Sequence, residues 1–459
     1  MNSKKCLLLA SLSVLSLSSC ALLPTFVGSS EDEASISHPS SSEEESSEKD
    51  NSSSLSSSSM ESTPDLTYWC PQRDAEVTRD LAAEFKASKE EYKDLKIEPL
   101  GYFEEGEVYG ELQGNPKAAA DVMAMHDDNI LSAATAKEIV EFSEEERNAF
   151  MHSEGPLAVE ACSLNETMYG LPYRADEGPM PFYDSNVYDA PVKLASLEAV
   201  LETAKKAGKK VYFDLCNGWY NATLLTVGGG SFTRQKNGRG GYEMYTDIAD
   251  PDKIDGAAAA LNSFKTLYNT YKETWVINSD NVEIRTGFES GEIAYAILYN
   301  DLDAIQQRNP NVKVALWPTI NVNGEDAQMQ CFLGYKAFVC KRNSDLERLA
   351  LAKEFTKFLA NKFSQVIRAK ELGYGPTNRE AQATEEAKSL EFSARIAEMT
   401  AMGATIGQAI STAIGYWDPM RNLGLEITSG NEGWGEYGSA QRLIQEFVSY
   451  QGWTSVKAK

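Results

Sequence analysis

The stretch MYGLPYRADEGPMPFYD, Met168 to Asp184, decides how the chain is divided. It reads as a short strand (Tyr169–Tyr173), an acidic crossing rich in Gly and Pro (Arg174–Pro179), and a second short strand (Pro181–Tyr183). Pro172, Pro179 and Pro181 fix φ and remove backbone donors, which excludes a helix and a central, fully paired strand. Such stiffness suits a segment that leaves one folded lobe and enters another. The crossing carries Arg174, Asp176 and Glu177, charges that are costly to bury without partners. Junctions between lobes are favoured places for ligand clefts. An ordinary exposed loop is the plain alternative, and the flanking sequence has to decide.

Before the crossing, Leu66–Trp69 reads as a strand, and Val77, Leu81 and Phe85 fall four apart on a helix. Lys96–Leu100 is a second strand and Ala120–Met125 a buried third. This alternation predicts a mostly parallel α/β sheet, with ligands at the carboxyl ends of its strands. The loops at those ends are Cys70–Asp74 and His126–Asn129. After the crossing, Leu197, Val200, Leu201 and Ala204 line a helix stopped by Gly208. Lys210–Leu215 is a strand, followed by CNGWY; Leu261, Phe264, Leu267 and Tyr271 give another helical face. Ile293–Tyr299, Lys313–Trp317 and Phe332–Cys340 read as strands. Ser344 with Glu347 forms a capping box that opens a long helix through Phe363. Early and late strands are both needed to complete each lobe. The prediction is two α/β lobes joined by more than one crossing, 65–174 with 337–384 and 175–336 with 385–459, hinged over a cleft.

The chain has 459 residues and a net charge of −25. The length calls for more than one core, and the charge argues against nucleic acid and anionic membrane surfaces as electrostatic partners. Residues 1–19 read as an export signal: Lys4 and Lys5, then an apolar run from about Leu7 to Leu17. Residues 21 to about 64 are a Ser-rich tether with nine acids against Lys49 alone, so about a third of the net charge lies outside the folded body. The tether lacks the apolar side chains to offset its ordering entropy and, as a flexible coil, spans about 35–40 Å r.m.s.. Five cysteines remain in the body, at 70, 162, 216, 331 and 340, with no CxxC. They read as small buried hydrophobes, with a Cys331–Cys340 bridge left open.

Enzyme signatures are scarce: there is no HExxH, GxSxG or GxxxxGK[ST]. The glycines at 228–230, 238, 240 and 241 lack the Lys-Ser/Thr of a phosphate loop and read as a hairpin insertion. His126-Asp127-Asp128 is a weak metal motif, and no metal or cofactor is expected. What remains is an aromatic and polar set suited to sugars, whose rings offer an apolar face and a rim of hydroxyls. Trp219, Tyr220, Tyr299, Trp417 and Trp434 supply candidate faces. Asp128, Asp176, Glu177, Asp418 and Arg421 supply candidate rim partners. Any single Trp of this set is as readily a core residue.

Several segments in order, LTYWCPQ, ADVMAMHDDN, MYGLPYRADEGPMPFYD, GFESGEIAYAI, VALWPTI, ELGYGPTNREA and GYWDPMRNLG, resemble the maltose-binding-protein-like family of carbohydrate ABC-transporter solute-binding proteins (family 1). The resemblance runs from about Leu66 to Gly452. It implies a two-lobe periplasmic-binding-protein-like fold of type II, a monomer, no enzymatic activity, and delivery of sugar to a membrane permease. Leu17-Ser18-Ser19-Cys20 resembles the bacterial lipoprotein box, which implies lipid on Cys20 and an anchored, extracellular body, as in Gram-positive members. Carried over by position, Asp128 matches the sugar-binding acid after the third strand and Asp176 the acid of the first crossing. Trp219 and Trp417 match stacking aromatics, and Arg421 the basic pocket residue. The pattern departs at Met125, Asn217, Asp301 and Asp418, and Arg73-Asp74 inverts the acid–base order of the first loop. Fewer stacking faces and more acids leave an oligosaccharide or a more polar glycan as open as maltose. Two other readings stay open: a carbohydrate-active enzyme with Asp128 and Asp176 as its acid pair, and a receptor for a non-sugar solute such as a polyamine.

Overall fold

In the computed structural model, the described residues are 63–236, 242–277, 280–299, 302–407, 416–431, 433–450 and 454–455. Cys20, the tether, Asp301 and the glycines at 238, 240 and 241 lie outside them. The first sheet runs in the order Thr405–Gly407, Cys331–Cys340, Val122–His126, Leu66–Cys70, Ile97–Tyr102, with Gly170–Glu177 also paired to Cys331–Cys340. The second sheet runs in the order Trp275–Val276, Lys210–Tyr212, Ile293–Leu298, Met180–Asp184, Val312–Val314. The predicted α/β alternation is therefore present twice, with helices on the sheets. Both sheets are mixed. Strands laid down in succession pair in parallel. Met180–Asp184 pairs antiparallel with both its neighbours, and Cys331–Cys340 pairs antiparallel with Val122–His126 and Gly170–Glu177 but parallel with Thr405–Gly407.

The crossing itself differs from its sequence reading. Gly170–Glu177 is one strand, so Arg174, Ala175, Asp176 and Glu177 are sheet residues and not loop. Only Gly178 and Pro179 separate it from Met180–Asp184. The prolines are tolerated for local reasons. Among the described residues the strand bearing Pro172 pairs on one side only, and Pro181 pairs with Ile297 on one side but sits beyond the last pair, Val314↔Phe182, on the other. Gly178 is required because a Cβ there would lie 2.5 Å from the Phe332 carbonyl oxygen. The second passage is Cys331–Cys340, buried at every position. A third, around Tyr374–Thr377, is tied to the first: Ala175 N–H donates to the Gly375 carbonyl at 2.8 Å.

Tyr68, Phe85, Tyr173, Phe338 and Phe355 form the core against the first sheet. Phe182, Phe213, Phe264, Trp275 and Trp317 anchor the second. Gly208 ends its helix at φ 66° as expected. The expected capping box at Ser344 and Glu347 is replaced by Asp345, whose carboxylate accepts from the Glu347 and Arg348 N–H groups. The long helix also breaks, into Leu346–Ala360 and Lys362–Leu372, because Asn361 caps the second piece. Strands Phe232–Lys236 and Tyr242–Thr246 pair antiparallel, in keeping with a hairpin after Gly228–Gly230. Cys331 and Cys340 are free thiols at opposite ends of one extended strand, about 30 Å apart, which rules out their bridge.

Candidate functional site

Alternate residues of a strand face opposite ways, so Phe332, Gly334 and Lys336 share one face of the second passage. Lys336 is 4% exposed. Its ammonium lies 3.1 Å from Glu177 of the first passage and 3.5 Å from Glu105, which follows the second strand. Glu105 also pairs with Arg73 of the first loop at 3.0 Å and accepts from the Tyr173 hydroxyl at 3.1 Å. Glu177 is 3.5 Å from His126 Nδ1. One buried lysine thus joins two passages to the loops at the carboxyl ends of three strands of the first sheet.

The electrostatics follow from burial and this one hub. Burial raises the Glu105 carboxyl, but Lys336, Arg73 and Arg174 outweigh it and hold it down at about 2. Asp128 has less help: burial pushes it up, His126 opposes and Glu177 adds. Asp127 is pushed well above the carboxylate range by burial and by its neighbour Asp128. Asp127 Oδ2 and Asp128 Oδ1 are buried without a hydrogen-bond partner among the described residues.

Four residues away on the same face, Phe332 supports the aromatic half of the site. Trp219 stacks on it with centroids 5.7 Å apart and planes at 20°. Trp417 lies 6.3 Å from Trp219 and 6.0 Å from Phe332 between ring centroids, and the residue is 38% exposed. The loop and helix that present the two tryptophans are fastened together. Asn217 Oδ1 accepts from the Trp219 N–H at 3.0 Å. The buried Asn221 amide donates to the carbonyls of Leu215 and Met420, each at 2.8 Å. Helix Trp417–Thr428 comes so close that a Cβ on Gly424 would sit 1.7 Å from the Leu215 oxygen. Four residues of strand separate the Phe332 platform from the Lys336 hub by about 13 Å.

The structure places the expected residues unevenly. Trp219 and Trp417 are neighbours, Arg73 and Glu177 join the Lys336 network, and Asp128 feels the charges of His126 and Glu177. Asp176 is 2% exposed, with one oxygen paired to Arg174 and the other accepting from the Gly375 N–H at 3.2 Å. Arg174 lies over the Tyr374 ring at 3.7 Å. Asp176 is thus engaged in joining two passages, and Glu177 is the crossing acid of the Lys336 network. A hydrolytic reading needs Asp176 as a working acid, and its surroundings commit it elsewhere. Asp418 and Arg421 are exposed on the Trp417 helix, and the Arg421 charge reaches the Cys216 thiol. Tyr299 is exposed and its hydroxyl accepts from the Asn281 amide at 2.6 Å. Phe332, Lys336 and Glu105 were missed. A lysine inside the apolar run CFLGYKAFVC was the visible signal for the hub.

Two α/β lobes, tied by several passages and bearing an aromatic platform beside a charged network, make up the build of a protein that holds a small solute. The chain belongs to the bacterial extracellular solute-binding protein family, whose model matches residues 80–394. Its fold is similar to the unliganded maltodextrin-binding protein of L. casei BL23, at 20% identity over 86% of this chain and 99% of that one, TM-score 0.70. A cyclo/maltodextrin-binding protein complexed with maltotetraose gives 19% identity over 86% and 98%, TM-score 0.67. The maltose-binding protein of Listeria monocytogenes in complex with maltose gives 17% over 84% and 97%, TM-score 0.66. No curated protein sequence matches. At these identities the structural likeness establishes the fold.

Proposed function

We propose that the protein is a lipid-anchored receptor that captures an oligosaccharide and delivers it to the permease of an ABC importer. The jaws are 65–174 with 337–384 and 175–336 with 385–459. Lipid on Cys20 and the acidic tether hold the body, as a monomer, off the outer face of the membrane. Trp219 and Trp417 provide the stacking face; Asp128, Glu177 and Arg73 provide the polar rim. Closure of the jaws buries the sugar, and the closed form is what the permease recognises. The observation that carries this reading is the Trp219–Phe332–Trp417 cluster on the same strand face as the Lys336 network. Flat rings on the same strand face as ion-paired acids and open carboxylate oxygens suit a ligand with apolar faces and hydroxyl edges.

The test is a thermal-shift panel of maltose, maltotriose, maltotetraose, non-glucan oligosaccharides and spermine. A ligand bound only by the folded state raises the midpoint. Stabilisation by one or more oligosaccharides and none by spermine is expected. Stabilisation by spermine alone would replace this reading with the polyamine one.

A further inference from the structure

The opposite face of the second passage looks onto a separate hollow. Leu333 and Tyr335, the alternates of Phe332 and Lys336, floor a cavity of about 530 Å³. That volume falls within the range of about 300–1,000 Å³ typical of small-molecule sites. Its walls come from every passage: Ala175 from the first, Leu333 and Tyr335 from the second, Gly375 to Thr377 from the third. The rest is shared between Gly155–Ala158 on one side and helix Glu391–Ala401, through Ile396 and Ala397, on the other. The lining is mostly apolar and small.

Arg379, Lys388 and Glu154 are the charged residues that line the cavity. Arg379 and Lys388 line it and are exposed. Arg379 reaches across Gly155, where a Cβ would stand 3.0 Å from Nη2, and its Nη1 donates to the His152 carbonyl at 3.5 Å. Lys388 is 3.5 Å from Glu385 in an exposed pair, which holds it weakly. The lining acid, Glu154, is buried and already accepts from Asn378 at 2.8 Å, Gln365 at 3.3 Å and Ser153 at 3.0 Å. Two cations against one hydrogen-bonded carboxylate leave the hollow with an excess of positive charge, in a chain of net charge −25.

We propose that this cavity is a second ligand site, for a small amphiphilic carboxylate, and that its occupancy biases the hinge. The carboxylate meets Arg379 and Lys388, and the apolar body lies on Leu333, Tyr335 and Ile396. Because the walls belong to both halves and to the strands that join them, jaw rotation changes the hollow's width. A ligand that fits one width favours that hinge angle, and linkage requires that sugar and carboxylate alter each other's affinity by the same factor. The carboxylate site itself does not depend on which solute fills the other face.

Octanoate is the probe, with octanol and octyltrimethylammonium as charge controls, on the full chain. Octanoate should raise the thermal midpoint in a dose-dependent way, and neither control should match it. Arg379→Ala with Lys388→Ala should weaken octanoate about tenfold or more, as loss of a charge-assisted contact does. Ala397→Trp fills the hollow and should abolish the response while far-UV dichroism stays native. No octanoate response, an equal response to the cationic control, or a full response in both variants overturns the site. A maltotriose affinity unchanged by saturating octanoate overturns its link to the hinge. The octanoate arm needs no sugar, so its failure and that of the receptor reading are separable.

Discussion

Replacing Trp417 by alanine probes the platform most sharply. Trp417 is 38% exposed. Of the ~250 Å² that a tryptophan can bury, about 95 Å² is then free for a sugar face. At ~25 cal/mol per Å² that area contributes about 2 kcal/mol. Affinity should fall roughly 30-fold. Trp417→Phe keeps part of the face and should fall between. The rest of the ring packs on Gly218, Phe332 and Tyr416, so the variant also loses stability. Calorimetric titration with maltotetraose, run well below each variant's melting midpoint, separates the two effects. A dissociation constant for Trp417→Ala within about twofold of wild type would refute the reasoning, because ~0.4 kcal/mol is too small for a stacked ring.

Phe332→Leu keeps an apolar filler but removes the ring under Trp219; a loss of about 1 kcal/mol in sugar binding is expected by titration. Glu105 gives a pH signature. Its carboxyl is held down from 4.5 to about 2, so the stability it adds is complete above about pH 4.5 and is lost as pH falls towards 2. The amount is about 3 kcal/mol, and acid unfolding of Glu105→Gln should lack that part of the slope. Asp127 has the opposite sign: burial raises its carboxyl, so the folded state holds a proton that the unfolded chain releases, and stability falls as pH rises above 3.8. Asp127→Asn, which mimics the protonated form, should melt higher than wild type at pH 7 and lose that advantage below pH 4.

The sequence reveals local features and hides pairings across distance. Hydrophobic periods place Leu66–Cys70, Val122–His126 and the helix ended by Gly208, and the Ser-rich tether is plain from composition. The crossing was misread because what makes Arg174–Glu177 a strand is pairing with Cys331–Cys340, over 150 residues away. Prolines signal a break in pairing but cannot say that one free edge is enough. Asp345 and Asn361 each offered a local cap, and the Ser344–Glu347 spacing masked the first. Within the candidate site, side chains were visible by type: Trp219 and Trp417 stand out as aromatics beside turns. Their support was not visible, since Phe332 looks like any core residue until its ring is seen under Trp219. Asp176 and Glu177 are adjacent acids with opposite fates, and only strand alternation and the position of Arg174 tell them apart.

The central claim is that the jaws hold a carbohydrate reversibly and leave it whole. Titration of the full chain with maltotetraose and the stabilising members of the glycan panel, followed by mass analysis of the recovered sugar, measures this directly. The account predicts a saturable one-to-one isotherm near micromolar, about −8 kcal/mol, with every recovered chain at its starting length. Shortened products, or no heat with any oligosaccharide, would contradict it.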